Sequence, residues 1–385
     1  MIKIPLKIEF VLDVLMHFGY EAYIVGGCVR DSLLGITPHD YDVTTSATPE
    51  EVISLFDHTI PTGIKHGTVT VVIDNEPIEV TTFRTEGDYS DSRRPDSVEF
   101  VSDLKSDLAR RDFTVNAIAY NHRQGLKDFF GGINDLENRV LRAVGDPHQR
   151  FNEDALRIMR LFRFASQLRF KIDEETYNSA IHLSHKLENI SRERIFAELL
   201  KAIDGEYPQA IAPLLGCGGL SFLNISGYIN LSLIRNLTIS QNLRLAVFLS
   251  KTCRHPLDTL KALKCSNAQY HYCENFLRLS ALVLPQDKAD IKNALFITNV
   301  QSVNEWLFYL KAIGTDVTEQ KFMFLEIIEK EEPYLISHLK IDGKDLQGLG
   351  IKGKEIGKHL EALRKIVVQN PEFNTKEKLL ELLTK

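Results

Sequence analysis

The sequence predicts an α+β fold, in which a head with a small mixed sheet precedes an all-helical remainder. β-Rich runs such as 68–73 and 78–83 occur only before about residue 146. Beyond it, apolar residues recur at the three- and four-residue spacing of amphipathic helices. A chain of 385 residues is long enough for several domains. We expect a head over 1–146 and helical segments over 147–206 (neck), 207–310 (body) and 311–385 (tail).

Local signals justify the elements in chain order. Apolar spacing predicts a helix over 6–18, and Thr48, Pro49 and Glu51 form the capping pattern that starts another. The predicted strands cover 22–25, 40–44, 68–73, 78–83 and 140–144, with a hairpin turn at 74–77. Residues 84–96 have no periodic apolar face and are predicted to form a mobile loop, before ordered structure returns at 104–116. Further helices are expected at 29–34, 151–170, 174–186 and 192–202.

Composition excludes some classes of protein. The net charge of -6 is not that of a globally basic nucleic-acid binder, so contacts with phosphate would need local basic patches. The chain lacks a signal peptide and an apolar run long enough to span a bilayer, which predicts a cytoplasmic protein with no membrane partner. Its five cysteines are odd in number and irregularly spaced, which indicates free thiols. A zinc site at Cys265 and Cys273 is disfavoured because no CxxC pair supports it.

Three carboxylates are candidate metal ligands. Asp40 and Asp42 are two apart on a predicted strand, so their side chains would project to one face. Glu79, on a neighbouring predicted strand, is the natural third carboxylate ligand. Such carboxylates can bind a pair of Mg²⁺ ions that activate an attacking hydroxyl and stabilise a pyrophosphate leaving group. Taken alone, however, an Asp-x-Asp pair is usually just solvated.

A glycine pair precedes these acids. Gly26 and Gly27 stand between a predicted strand and a short helix, where unblocked backbone N–H groups can cradle a phosphate and Arg30 can neutralise its charge. A glycine pair alone would indicate only a tight turn. The order of glycine pair, short helix and acid pair makes the phosphate-binding interpretation more specific.

Five ordered motifs carry a family resemblance. They are GGCVRD at 26–31, HDYD at 39–42, RTEGDYSDSRRP at 84–95, RRDFTVNA at 110–117 and FNEDALR at 151–157. Together they resemble the class II tRNA nucleotidyltransferases, the bacterial CCA-adding enzymes and their poly(A) polymerase relatives. The resemblance is strong over the first 200 residues and looser beyond. It implies a head with the polymerase β-like nucleotidyltransferase fold, Mg²⁺ in a two-metal mechanism, and tRNA, CTP and ATP as partners.

The resemblance also makes the helix after the head a reader of the incoming base. Asp154 and Arg157 are three apart on a predicted helix and would share a face. Asp offers an acceptor and Arg a donor, which suits the amino group and ring nitrogen of adenine and cytosine and leaves guanine and uracil unpaired. An ordinary intrahelical ion pair is the alternative. Arg160 and Arg163 continue the face, and the resemblance implies that they contact the nucleotide.

The motif at 110–117 contributes two further residues. The resemblance implies that Arg111 touches the nucleotide and that the motif couples head and neck. For Asp112, a helix cap or an ion pair with the arginines is an equally good interpretation.

The loop motif bears on the subtype. Its candidate lever residues are Arg84, Gly87, Tyr89, Arg93 and Arg94. Relatives that add only CC lack much of this loop, so its presence argues against a CC-only enzyme. It does not separate full CCA addition from addition of A alone.

The C-terminal part contains a predicted helix, a glycine-rich turn and a second helix. Between residues 340 and 365 there are seven Lys or Arg against four acids. The candidate tRNA-binding residues are Lys344, Lys352, Lys354 and Lys358. The resemblance implies a grip on the tRNA backbone, whereas a solvated helical hairpin is the alternative.

The predicted function is therefore addition of C, C and A to the tRNA 3′ end from CTP and ATP without a nucleic-acid template, with release of pyrophosphate. An A-adding enzyme or a poly(A) polymerase on the same scaffold is the nearest alternative. A non-catalytic tRNA-binding protein is a more remote one. The sequence leaves open whether the chain is a monomer or a homodimer, and whether Mg²⁺ or Mn²⁺ is used.

Overall fold

The structure is a computed structural model that describes residues 2–86, 98–227 and 231–384. The chain divides into two compact units. One comprises Met1–Leu231 with Ala262–Lys264, and the other Ser232–Lys261 with Cys265–Lys385. The finer division into head, neck, body and tail stays a prediction. Within the described ranges, no helix is both long and apolar enough to cross a membrane.

The first unit contains both strands and helices. The strands are β1 (Ala22–Val25), β2 (Asp42–Thr45), β3 (Thr59–Gly63), β4 (Thr68–Ile73), β5 (Glu76–Thr82), β6 (Arg84–Glu86), β7 (Val98–Phe100), β8 (Ile118–Asn121), β9 (Gly125–Asp128), β10 (Val140–Leu141) and β11 (Lys171–Ile172). The helices are α1 (Leu6–His17), α2 (Gly27–Leu33), α3 (Pro49–Leu55), α4 (Leu104–Ala109), α5 (Gly132–Glu137), α6 (Pro147–Glu153), α7 (Leu156–Leu168), α8 (Glu174–His182), α9 (Arg192–Ile203) and α10 (Ala212–Gly216).

A seven-stranded sheet forms the centre of the head, in the order β3-β4-β5-β2-β1-β8-β9. Its neighbouring strands are antiparallel except β2 and β5, which run parallel. Tyr23 and Val25 on β1 and Ala119 on β8 pack with Leu104 and Leu108 of α4 in a buried cluster. The predicted mixed sheet is confirmed, and this cluster anchors α4 to it.

Two local predictions are confirmed by their hydrogen bonds. At the start of α3, the Glu51 N–H donates to Thr48 Oγ1 over 3.4 Å, and the Thr48 N–H donates to the Glu51 carboxylate over 2.7 Å. The predicted hairpin joins β4 and β5, but its turn has two residues rather than four. Asp74 and Asn75 both have positive φ, as the tight turns that suit a right-twisted hairpin require.

Several predicted elements need correction. Residues 84–86 were expected in a loop, but they form β6, which pairs with β7. Strands β3, β8 and β9 were not predicted. Lys171–Ile172 forms a short strand parallel to β10, although no strand was expected after residue 146. The single helix predicted over 151–170 is two helices, α6 and α7, with extended backbone at Asp154 between them.

The second unit is helical in its described residues. Its helices are α11 (Ser232–Asn236), α12 (Gln241–Thr252), α13 (Pro256–Ala262), α14 (Asn267–Ser280), α15 (Lys288–Ile297), α16 (Val300–Ala312), α17 (Thr318–Glu329), α18 (Gly343–Gly348), α19 (Lys354–Gln369) and α20 (Lys376–Thr384). Leu346 of α18 and Leu363 and Val367 of α19 share a small buried cluster. The predicted helix, glycine turn and helix are confirmed there. All five cysteines are free thiols, as predicted.

Candidate active site

The glycine turn after β1 is shaped by its contact with an arginine. Gly26 has φ +80° and ψ -130°, a combination that residues with a Cβ rarely adopt. A Cβ added there would lie 3.2 Å from Arg111 Nη1. Helix α2 begins at Gly27, earlier than the predicted residue 29. The absence of a side chain at Gly26 therefore lets the Arg111 guanidinium approach the backbone of the turn.

The candidate acids line an open groove beside this turn. Asp40 precedes β2 rather than lying on it, and Asp42 is the first residue of the strand. Because β2 and β5 are parallel with Val43 opposite Val80, Asp42 and Glu79 lie side by side and project to the same face. Asp40, Asp42 and Glu79 all line a cavity of about 760 Å³. The predicted shared strand for Asp40 and Asp42 is thus wrong, yet the structure places all three acids at one groove.

The carboxylates in the groove have few protein partners. Across the residues that the structure describes, none of the three forms a hydrogen bond or an ion pair. Desolvation raises the pKa of Asp42; attraction to Arg111 opposes this, and repulsion by Asp40 adds to it. Such an arrangement is electrostatically unfavourable until a cation or a cationic ligand arrives.

The expected three-carboxylate metal site is not preformed. In the described part of the chain, no three His, Cys, Asp or Glu side chains converge closely enough to hold a metal ion. Glu79 therefore does not complete such a trio. The Asp40 and Asp42 pair still fits Mg²⁺, which is usually held by one or two carboxylates and completes its six ligands with substrate phosphates and water.

An acid missed by the sequence reasoning supports the arginines beside the groove. Asp107 on α4 is fully buried and pairs with Arg110 over 2.8 Å and with Arg111 over 3.4 Å. It also accepts hydrogen bonds from the Thr44 hydroxyl and the Arg84 N–H. Burial raises the pKa of Asp107, but the two arginines outweigh it, so the pKa lies below its usual range. The three- and four-residue spacing from Asp107 to the arginines was the signal available in the sequence.

The next residue after Arg111 connects the head to helix α7. Asp112 is buried, and its carboxylate lies 2.6 Å from Arg160 Nη2. It also accepts the Phe113 N–H over 2.8 Å and the Asn116 amide over 3.0 Å. Burial raises the pKa of Asp112, but Arg160 and the hydrogen bond from Asn116 outweigh it and hold the pKa at about 2. Of the interpretations left open for Asp112, the structure has the ion pair.

Helix α7 carries an arginine cluster around one aromatic ring. The guanidinium carbons of Arg163, Arg30 and Arg160 lie 3.9, 5.1 and 5.4 Å from the centre of the Phe164 ring. Arg163 pairs with the buried Glu198 of α9 over 3.1 Å. Desolvation lowers the pKa of Arg163 to about 10, and Glu198 partly opposes this. We call Phe164 and these three arginines the Phe164 cluster; the ring and Glu198 were not singled out from the sequence.

Arg30 enters the Phe164 cluster from α2. It is buried, and its guanidinium pairs with Asp31 over 2.7 Å. It also donates to Asn116 Oδ1 over 2.8 Å. Because Asn116 donates in turn to Asp112, the glycine turn and helix α7 are joined through one hydrogen-bond network.

The two candidate base-reading residues do not share a helix face. Asp154 lies in the break between α6 and α7, because its φ of -137° and ψ of 104° are extended. Its Oδ1 accepts the Leu156 N–H over 2.9 Å, and its Oδ2 accepts from Arg194 over 2.8 Å. Arg157 pairs with Glu153 over 2.7 Å and donates to the Arg110 carbonyl over 2.9 Å. The predicted geometry is therefore wrong, and each side chain is held by its own partner.

The structure describes one of the five predicted lever residues and all four of the candidate tRNA-binding lysines. Arg84 lies in β6, and its guanidinium donates to the His66 carbonyl. Gly87, Tyr89, Arg93 and Arg94 lie outside the described residues. In the second unit, the four candidate tRNA-binding lysines are exposed; they are Lys344, Lys352, Lys354 and Lys358.

Comparison with known proteins agrees with this fold. Residues 22–142 match the model of the poly A polymerase head domain, and residues 169–219 match a model described as a probable RNA- and SrmB-binding site of polymerase A. The CCA-adding enzyme of Ligilactobacillus salivarius is 37% identical over 96% of this chain and 94% of its own. That of Lactococcus lactis is 40% identical over 94% of this chain and 91% of its own.

A solved structure is also similar to this chain. It is the crystal structure of the Bacillus stearothermophilus CCA-adding enzyme in complex with CTP, and the match has a TM-score of 0.85 and 31% identity. The match covers 99% of this chain and 98% of that chain. Fold, site and matches define the chain as a nucleotidyltransferase. It belongs to the family of CCA-adding enzymes. This membership implies that it depends on a divalent metal ion.

Proposed function

We propose that this chain adds C, C and A to the 3′ end of tRNA, taking CTP twice and ATP once and releasing pyrophosphate each time. One observation carries the proposal. Consecutive residues join the acidic groove to the base-reading helix: Arg111 lies against Gly26 and attracts Asp42, while Asp112 pairs with Arg160 on α7. These contacts would position the base-selecting residues relative to the catalytic acids, so that no nucleic-acid template is needed.

In this proposal Asp40 and Asp42 hold Mg²⁺ in a two-metal mechanism. Bound Mg²⁺ would supply activation of the attacking 3′-hydroxyl and neutralisation of the charge on the leaving pyrophosphate. Glu79 projects to the same face as Asp42 and accepts the hydroxyl proton. Phosphoryl-type transfer needs little covalent help from a protein, so positioning and charge neutralisation supply most of the acceleration.

The arginines beside the groove would hold the triphosphate. Arg30 and Arg111 flank the glycine turn, whose Gly26 and Gly27 leave the backbone open to a phosphate. Arg160 and Arg163 extend this positive surface along α7. Because all four guanidinium groups already have carboxylate partners, they are ordered before the nucleotide arrives, which lowers the entropy lost on binding.

Base selection is assigned to Asp154 and Arg157. Asp154 accepts the amino group of cytosine or adenine, and Arg157 donates to the adjacent ring nitrogen. Uracil and guanine present a carbonyl and an N–H in these positions, so each would leave buried polar groups unpaired, at a cost of about 1–3 kcal/mol each. The two side chains act from a helix break and a helix rather than from one helix face.

The second unit would bind the tRNA backbone. Lys344, Lys352, Lys354 and Lys358 are exposed on α18, α19 and the turn between them, where they can contact phosphates irrespective of sequence. In this proposal the head, neck, body and tail have the boundaries predicted from the sequence, which are 1–146, 147–206, 207–310 and 311–385. The enzyme would act on tRNA in the cytoplasm. Exchanging the four lysines for alanine should weaken tRNA binding and flatten its salt dependence.

The test offers tRNA transcripts that end before CCA, after C and after CC, with CTP and ATP supplied separately. The proposal expects CTP to be used on the first two transcripts and ATP on the third. Addition of A alone to the CC-ended transcript, with no use of CTP, would support the A-adding alternative instead. Repeated addition of A would support a poly(A) polymerase.

A further inference from the structure

Arg194 reaches the base-reading carboxylate from a separate helix. It lies on α9, 40 residues after Asp154, and its Nη2 is 2.8 Å from Asp154 Oδ2. The Asp154 side chain is only 15% exposed and that of Arg194 28%, so the contact is largely shielded from solvent. We propose that Arg194 is a positioning residue that determines base specificity by fixing the Asp154 carboxylate. The inference rests on the proposed function, because it concerns the same base-reading site.

Two hydrogen bonds define the carboxylate plane. The Leu156 N–H binds Oδ1 and the Arg194 guanidinium binds Oδ2. A carboxylate oxygen accepts about two hydrogen bonds, so each oxygen keeps one acceptor position for a substrate. With only the Leu156 bond, the carboxylate could rotate about it. With both, its remaining acceptor positions have one orientation.

Arg194 also gives Asp154 an ion-pair partner of its own. The Asp154 carbonyl accepts the Arg157 N–H over 3.0 Å, so the two base-reading residues are within one turn of each other. The Arg157 guanidinium pairs with Glu153, and the Asp154 carboxylate pairs with Arg194. Without Arg194, the shielded Asp154 carboxylate would be drawn toward Arg160, which also attracts it. That movement would turn its acceptor positions away from the base.

A lysine at position 194 could make the same kind of contact with Asp154. Arg194 uses one nitrogen for Asp154, and its Nη1 is buried with no hydrogen-bond partner among the described residues. A single-point contact needs one positively charged donor rather than the guanidinium fork. Arg194→Lys should therefore retain much of the specificity, whereas Arg194→Met should lose it.

The experiment measures kcat/KM for CTP and UTP on tRNA lacking CCA, and for ATP and GTP on CC-ended tRNA. For R194M we expect kcat/KM with CTP and ATP to fall roughly 10- to 100-fold, as for loss of a hydrogen bond to a charged group. UTP and GTP should change little, so that discrimination falls by a similar factor. R194K should recover most of the discrimination.

Arg192→Met is the matched control. Arg192 lies on the same helix, but its guanidinium stacks on Phe222 instead of contacting Asp154. R192M should keep the wild-type discrimination. If R194M does not fold, as judged by thermal unfolding, R194Q carries the same comparison.

An equal fall in kcat/KM for all four nucleotides would overturn the inference, because it would indicate a merely structural role. Failure of the proposed function has a different signature, which appears in the wild-type protein. A wild type that adds only A would overturn full CCA addition while leaving the ATP-over-GTP ratio to test Arg194. A wild type that does not discriminate between bases would overturn both.

Discussion

The acidic groove and the Phe164 cluster differ in whether their charged side chains have partners of opposite charge. In the groove, the carboxylates of Asp40, Asp42 and Glu79 have no hydrogen-bond or ion-pair partner within the described ranges. In the cluster, Arg30, Arg160 and Arg163 each have a carboxylate partner as well as the ring.

The difference separates function from stability. Carboxylates left unpaired in a groove favour the arrival of cations and contribute nothing to holding the fold. Paired arginines contribute to the fold and keep their shape when the site is empty. We therefore expect substitutions in the groove to reduce activity without loss of stability, and substitutions in the cluster to reduce both.

The largest effect is expected for Asp42→Asn. Loss of a metal-binding carboxylate should lower the rate of nucleotide addition by roughly 1000-fold, because bound metal supplies several kcal/mol of transition-state stabilisation. The free energy of unfolding should stay the same or rise, since repulsion between Asp42 and Asp40 is removed. Rates of nucleotide addition and urea unfolding curves measure the two quantities.

Asp57→Asn is the control for that variant, because Asp57 is an exposed acid of the same unit. It should change neither quantity. A D42N protein with normal turnover would contradict the catalytic assignment and favour a non-catalytic tRNA-binding protein.

Asp112→Asn should show the contrasting behaviour. It removes one partner of a buried ion pair, and we expect about 2 kcal/mol of lost stability after allowing for the partial exposure of Arg160. The folded pKa of Asp112, about 2, lies below the unfolded value of about 3.9. The carboxylate therefore stabilises the fold above about pH 4, and this contribution is lost as the pH falls toward 2.

Urea unfolding of wild type and D112N at about pH 6 and about pH 3 checks the sign. The difference between the two proteins should shrink at the lower pH. A difference that grows on acidification would show that the Asp112 charge does not stabilise the fold.

A smaller effect is expected for Phe164→Leu. The substitution removes the ring shared by three guanidinium groups and its edge contact with Phe113, which together suggests about 1–2 kcal/mol of lost stability. The KM for CTP and ATP should rise several-fold, because the arginines lose a common support. Phe196→Leu is matched in burial and lies on α9. It should lower stability and leave KM unchanged; equal KM effects in the two variants would contradict the role of the cluster.

The sequence predicted the structural features that depend on neighbouring residues. It did not predict the features that depend on contacts between residues far apart in the chain. The Thr48 cap, the β4 strand and the glycine turn follow from patterns a few residues long, and the structure has them. The break at Asp154 was missed because one of the partners of its side chain, Arg194, lies 40 residues away. Nothing local marks Glu198 as the partner of Arg163 either, and the short strands β8 and β9 take their place from pairing within the sheet.

The family resemblance identified more of the site residues than the local sequence patterns did. The ordered motifs identify the acids of the groove and the arginines of α7 from the sequence alone. They did not reveal that Asp40 precedes its strand or that Asp107 is buried beneath Arg111. Such details arise from packing between elements, which a motif does not encode.

The contact between Gly26 and Arg111 constrains how this chain can evolve. A side chain at position 26 would have to adopt a backbone conformation that favours glycine and also displace the guanidinium of Arg111. Neither position is therefore free to drift alone. In a selection for growth, a first substitution at Gly26 should be purged in almost any background, whereas shortening Arg111 should widen, if only slightly, the set of residues that position 26 tolerates.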